Sequence, residues 1–173
     1  FPYTTLFRSS GTVRFEGLEL SANYAFDASV DEFFSRMRPR FLLLQSAFCL
    51  GLTQASLEAA TAAPSAAPFA EEIASLQAQF DSLEVSWSEL LERQQNFDDL
   101  PAGQDPLPYL EVRLAAALLA QAVSRVELAS VGGRGYFVAN PTSRRVRESL
   151  FLSVQAPTEG SLRWEISQLK SRA

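Results

Sequence analysis

The residues able to do chemistry in this chain cluster toward its carboxyl end. Gly132, Gly133 and Gly135, in the run Gly-Gly-Arg-Gly-Tyr136, lack a Cβ. Their backbone amides can therefore approach an anionic or flat ligand closely; the same glycines also suit a helix C-cap followed by a tight turn. Glu159, in Pro157-Thr-Glu-Gly-Ser161, supplies a carboxylate. Buried, such a group serves as a proton acceptor; exposed at a helix start, its charge simply suits the dipole. Arg144, Arg145 and Arg147 fall early in a helix, where the dipole opposes them. Their charge must be offset by Glu148 and carboxylates of a partner subunit, or by a cofactor phosphate. Cys49 lies in an apolar run and reads as an inert buried thiol rather than a reactive one.

Composition excludes several other chemistries. With no histidine and one cysteine, neither an internal disulfide nor the usual zinc or di-iron ligand sets can be assembled, so no metal is expected. Twenty acidic against 15 basic residues, a net charge of -5, leave no general footprint for nucleic acid. A chain of 173 residues that is 47% hydrophobic and 20% charged has the make-up of one soluble globular domain. The single cysteine fits a reducing cytoplasm, and a preference for arginine and alanine hints at a GC-rich bacterial gene.

These groups must be positioned by helices. Thr12 to Leu20 alternates Val13, Phe15, Leu18 and Leu20 around Glu16-Gly17, as at the end of a β-element. Asp31 can cap a helix beginning Glu32-Phe33-Phe34, Pro39 should kink or restart it, and Phe41 to Ala60 continues as a long apolar helix. Gln45, Ser46, Thr53, Gln54 and Glu58 interrupt that run, which argues for a bundle helix rather than a membrane span. After the connection at residues 61 to 68, Ile73, Leu76, Phe80, Leu83, Trp87 and Leu90 mark one face of a helix from Glu71 to about Phe97. Beyond the proline-rich stretch 98 to 108, a third long helix carries Leu110, Leu114, Leu118, Ala122 and Val126 on one face and stops at Gly132-Gly133. Asn140-Pro141 starts a short helix over Thr142 to Leu152, and a last one spans Ser161 to Lys170. Trp87 and Trp164 read as core or interface anchors. The expected fold is all-α, an antiparallel four-helix bundle with a short N-terminal β stub.

The order Gly-Gly-x-Gly-Tyr136, Asn140-Pro141, Arg144-Arg145-x-Arg147-Glu148, Pro157-Thr-Glu-Gly-Ser161, Leu162-Arg-Trp-Glu165 is similar to the end of flavin-dependent acyl-CoA dehydrogenases. Thr12 to Leu20 resembles the last strand of that family's middle β-domain, and Leu50 to Ala60 the second half of its first bundle helix. The resemblance implies an all-α domain of the acyl-CoA dehydrogenase C-terminal type over residues 25–173, and the end of the middle domain over 10–24. It implies FAD as cofactor, with Gly132, Gly133 and Gly135 reaching the dinucleotide of a flavin held by a neighbouring subunit. Glu159 would be the base that takes the α-proton of an acyl-CoA or related thioester while hydride leaves the β-carbon for the flavin. A homo-oligomer, dimer or tetramer, is implied as well.

The chain departs from the family at residues 62 to 70, AAPSAAPFA, where relatives carry an arginine for the FAD pyrophosphate. Phe1 to Ser9 matches the translation of a common sequencing adapter and is expected to be foreign to the protein. The expected function is thus that of a C-terminal fragment of a cytoplasmic, bacterial acyl-CoA dehydrogenase, inactive by itself because the flavin also needs the preceding domains. The alternatives are a reduced-flavin monooxygenase or oxidase on the same fold, or a non-catalytic helical domain for oligomerisation.

Overall fold

Local signals and tertiary contacts together set five α-helices in the computed structural model, which describes residues 13–21, 23, 30–94 and 105–172. They are α1 (Val30–Thr61), α2 (Ala70–Glu92), α3 (Leu107–Val131), α4 (Pro141–Phe151) and α5 (Glu159–Lys170), with short 3-10 turns at Ala67–Phe69 and Gly132–Tyr136. No strand forms among the described residues. The β stub expected at Thr12 to Leu20 is not formed among the described residues: residues 13–21 have no regular structure, and Val13, Phe15, Leu18 and Leu20 are exposed. A lone strand has no ladder to complete, so its alternating pattern finds nothing to pair with. The adapter-like Phe1 to Ser9 and the end of the helix expected to reach Phe97 lie outside the described residues.

The direction of each helix can be read from its partners. Arg40, near the start of α1, donates to the Gln94 carbonyl just past α2, and Trp87 Nε1 donates to Leu43 O at 2.9 Å. At the opposite end, Leu57 and Ala60 pack with Ile73 and Leu76. α1 and α2 are therefore antiparallel. α2 and α3 are likewise antiparallel, since Gln94 bonds Tyr109 at one end while Arg125 pairs with Glu72 at the other. Helix α4 runs back along the end of α3 through Ser124 with Ser149 and Glu127 with Arg145. Helix α5 lies against the beginnings of α1 and α3, where Leu162 joins Leu42, Leu43 and Leu110, Arg38 pairs with Glu165, and Lys170 pairs with Glu111. The result is three long helices in up-down-up order with two short ones laid across α3, which touches every other helix.

α1 runs unbroken across Pro39 rather than restarting there, and Asp31 sits inside its first turn rather than capping it. Proline removes one backbone hydrogen bond and crowds the preceding turn. Contacts on both sides hold the helix through that defect: Arg38 is tied to α5, Arg40 to the end of α2, and Leu42 and Leu43 are buried. The burial of α3 also differs from the one-sided face expected. Leu110 and Val126 are buried, but Leu114, Leu118 and Ala122 are half-buried, while Ala116, Ala117, Ala120, Val123 and Ser124 fill the interior. A helix surrounded by four others is buried around most of its circumference, so a single stripe describes it poorly. By length and apolarity the segment Leu107–Tyr136 would suffice to cross a bilayer; here it is the core helix.

Cys49 is fully buried among Ala116, Ala117, Ala120 and Leu152, as its apolar surroundings suggested. Burial pushes its thiol above the ordinary value of 9.0, outweighing the downward pulls of Arg113 and of its own backbone hydrogen bonding. The native thiol thus keeps a proton where the unfolded one has lost it, so the unfolded state binds fewer protons and stability falls as pH rises above 9.0. We expect a slope approaching about 1.4 kcal/mol per pH unit there. Urea titrations between pH 8 and 11 check this, and Cys49→Ala should flatten the slope; an unchanged slope in that variant would refute the assignment.

Candidate functional site

The glycine turn closes α3. Gly132 has φ +73° and its N–H returns to Leu128 O, so the helix stops where a residue without Cβ can turn left-handed. The chain then makes a 3-10 turn rather than ending in simple coil, and Gly135 is buried in it. A Cβ at Gly135 would stand 3.0 Å from Leu128 Cδ1, 3.1 Å from Thr142 Cγ2 and 3.2 Å from Val131 Cγ1. At Gly133 a Cβ would meet nothing within 4 Å. Two of the three glycines therefore have structural reasons to be glycine, and Gly133 has none among the described residues. Beyond them Tyr136, Phe137 and Val138 are exposed.

That division is testable by alanine substitution. Gly132→Ala should cost about 1–2 kcal/mol through the left-handed backbone, and Gly135→Ala about 1–3 kcal/mol through overpacking. Gly133→Ala should leave stability within about 0.5 kcal/mol of the parent. Chemical denaturation of the three variants measures the order, and a loss at Gly133 equal to that at Gly135 would contradict it.

Helix α4 begins as the Asn140-Pro141 pair suggests: the Asn140 side chain accepts from Thr142 N at 2.9 Å, and proline occupies the first turn. Its arginines find separate partners. Arg144 pairs with Glu148 at 3.5 Å, and Arg147 donates to Ser143 Oγ at 2.7 Å. Arg145 makes a two-point contact with Glu127 of α3, its Nε donating to Oε2 at 2.9 Å. Glu127 is fully buried and Arg145 only 14% exposed at its side chain. Hydrogen bonding to Glu127 holds the Arg145 guanidinium above its usual value, against the opposing effect of burial. Arg144 and Arg145 are thus paired with carboxylates, while Arg147 meets only a hydroxyl.

Glu159 opens α5. Thr158 is the cap, its side chain accepting from Ser161 N at 3.2 Å, and the Glu159 N–H donates to Ser153 O at 2.9 Å. The carboxylate is 28% exposed and pairs with Arg163 Nε one turn on, at 2.8 Å. Within the chain it stands as a helix-start acid with a local partner. The glycine turn packs on α3 and α4 at the far end of α3, whereas α5 packs on its beginning, so Glu159 and the glycines are not brought together. Trp87 is an anchor between α2 and α1, but Trp164 is 67% exposed and outside the core of this chain. Among the described residues no group of three His, Cys, Asp or Glu converges.

Sequence reading missed two charged residues on the buried side of α3, Glu127 and Arg113. The available signal was their position: each interrupts a series of small or apolar residues on a helix otherwise apolar enough for a core. No protein family, curated protein or solved structure matches the chain.

Proposed function

We propose that this chain is the C-terminal helical domain of a flavin-dependent dehydrogenase of acyl-CoA or a related thioester, working in a cytoplasmic, bacterial parent enzyme. The observation that carries this reading is the ordered block from Gly132 to Glu165, whose motifs coincide with helix boundaries. The glycines end α3, Asn140-Pro141 begins α4, and Thr158-Glu159 begins α5. In that reading Gly132, Gly133 and Gly135 approach the FAD of a neighbouring subunit and Glu159 is the base at a flavin on its own side. FAD, when bound, supplies the redox chemistry; this chain contributes backbone amides at one end and one carboxylate at the other.

A specific observation favours a second reading. Glu159 is satisfied by Arg163, which suits a flavin monooxygenase or oxidase needing no carboxylate base, while the lack of an arginine at residues 62 to 70 suits a helical domain that has lost flavin binding. Purifying the parent with its upstream domains separates these. Bound FAD that is bleached anaerobically by an acyl-CoA, with enoyl product, supports the dehydrogenase; oxygen consumption without enoyl product supports the second reading. A colourless parent that cannot be reconstituted with FAD would leave only a helical oligomerisation domain.

Self-association belongs to the same proposal. Phe34, Phe41 and Leu44 are each more than half exposed along one side of α1, a stripe that water disfavours. We expect light scattering to find a dimer or larger species, and Phe34→Glu with Phe41→Glu to convert it to monomer. A monodisperse monomer before substitution would count against the proposal.

A further inference from the structure

Arg113 is the largest fully buried side chain among the described residues. A guanidinium keeps its charge at any physiological pH, and removing it from water costs several kcal/mol unless an anion compensates. Among the described residues no carboxylate lies within ion-pair distance of Arg113. Its acceptors are all neutral: Cys49 Sγ at 3.6 Å, Leu152 O at 3.3 Å and Gln155 Oε1 at 3.5 Å, the last two long for hydrogen bonds. Its Nε has no acceptor. The contrast with Glu127, equally buried but gripped at two points by Arg145, is direct.

Leu152 and Gln155, which cover Arg113, also wall a cavity of about 490 Å³ between α1 and α4. Its remaining lining is apolar on one part, Phe48, Leu52 and Phe151, and cationic on another, Arg144 and Arg147, with Glu148 engaged by Arg144. That volume lies within the range of small-molecule sites, and a few polar groups among apolar walls is their usual make-up. Two guanidinia and one carboxylate line it, and the Arg113 guanidinium lies directly behind its Leu152 and Gln155 wall, so the cavity calls for an anion; its apolar walls call for a hydrocarbon.

We propose that this cavity binds a single-tailed amphiphile with an anionic head, a carboxylate or a phosphate monoester. The tail lies against Phe48, Leu52 and Phe151. The head enters between Arg144 and Arg147 and, with the Gln155 side chain turned aside, supplies the counter-charge that Arg113 lacks. The site includes none of Gly132, Gly133, Gly135 or Glu159 and does not depend on the flavin reading.

Calorimetric titration of the purified chain with decanoate, decyl phosphate, decanol and inorganic phosphate tests it. At least one of the two amphiphilic anions should bind, with decanol and inorganic phosphate weaker by about tenfold or more, the loss of a charged hydrogen bond or of the buried tail. Preference for decanoate identifies a fatty carboxylate, and preference for decyl phosphate a phosphate monoester lipid. Arg113→Met should weaken binding by about tenfold or more while leaving the free chain at least as stable, since it removes an uncompensated buried charge. Should that variant not fold, Leu52→Trp blocks the cavity from its open side and should abolish binding on an intact fold. Decanol binding as well as decanoate, no binding by any probe, or binding indifferent to both substitutions would overturn the proposal. So would an Arg113→Met chain that changes only its oligomeric state, since the missing counter-charge would then come from a second copy.

Discussion

Arg145→Ala is expected to destabilise the chain by about 3–5 kcal/mol, because it strands the Glu127 carboxylate in the interior without a cation. The carboxylate has no exposure, and in the native chain the two-point contact with Arg145 compensates for its burial. The reverse substitution is predicted to be milder. In Glu127→Gln the arginine is still 14% exposed at its side chain and can turn its head toward water, while the amide retains one acceptor. Replacing both residues, as in Glu127→Leu with Arg145→Met, should recover most of the loss, since a well-packed apolar pair is often no worse than a buried ion pair. Urea denaturation of the four chains measures this, with an unchanged m-value indicating that the same cooperative unit unfolds. Equal losses below about 1 kcal/mol in both single variants would mean that the pair contributes nothing beyond a surface contact. The consequence reaches the candidate site, because this pair and the Ser124–Ser149 hydrogen bond clamp α4 onto the last turns of α3 and so fix the corner in which Gly135 is packed.

Why that pair was invisible in the sequence, while the ends of the same helices were not, follows from the range of the forces involved. Gly132 and Asn140-Pro141 act on backbone groups within three or four residues, so residue type alone specifies where α3 stops and where α4 begins; α5 starts at Glu159, two residues before the expected Ser161, because Thr158 caps it. The periodic face of α2 was legible for a similar reason: Ile73, Leu76, Phe80 and Leu90 are buried because that helix packs on one side only. Long-range partners leave no comparable trace. Glu127 and Arg145 are 18 positions apart on different helices, and Glu127 looks like one more surface acid until α4 folds back over it. Pro39 reads as a break because the contacts of Arg38 and Arg40 that carry α1 through it come from 127 and 54 residues away. The alternation in Thr12 to Leu20 likewise needs a distant partner to become a strand, and no sheet that would pair with it is among the described residues. As for the candidate site, its residues were named from spacing, but the local partner of Glu159 follows from the helix register that places Arg163 one turn ahead.

That local partner sharpens the test of Glu159 itself. In the full parent, Glu159→Gln is expected to slow anaerobic reduction of the flavin by an acyl thioester by about 10²–10⁴-fold, the usual contribution of a positioned general base. FAD content and the fold should be retained. Glutamine matches glutamate in size, leaves the Thr158 cap in place and keeps the backbone hydrogen bond to Ser153, so the substitution removes little except the ability to take a proton. The ion pair it breaks is partly exposed and one turn long, of the kind that contributes only about 0.3–0.5 kcal/mol. A large rate effect therefore cannot be a stability effect in disguise. Arg163→Gln supplies the control: it breaks the same ion pair without touching the base, and in the dehydrogenase reading it leaves flavin reduction near the parental rate. If Glu159→Gln and Arg163→Gln are equally slow, the ion pair rather than the base is what the site requires, and Glu159 is a positioning residue. If both reduce the flavin at the parental rate, proton abstraction takes place elsewhere and Glu159 is only the first acid of α5. Oxygen uptake without enoyl product in the parent would then identify the flavin chemistry that needs no base at all.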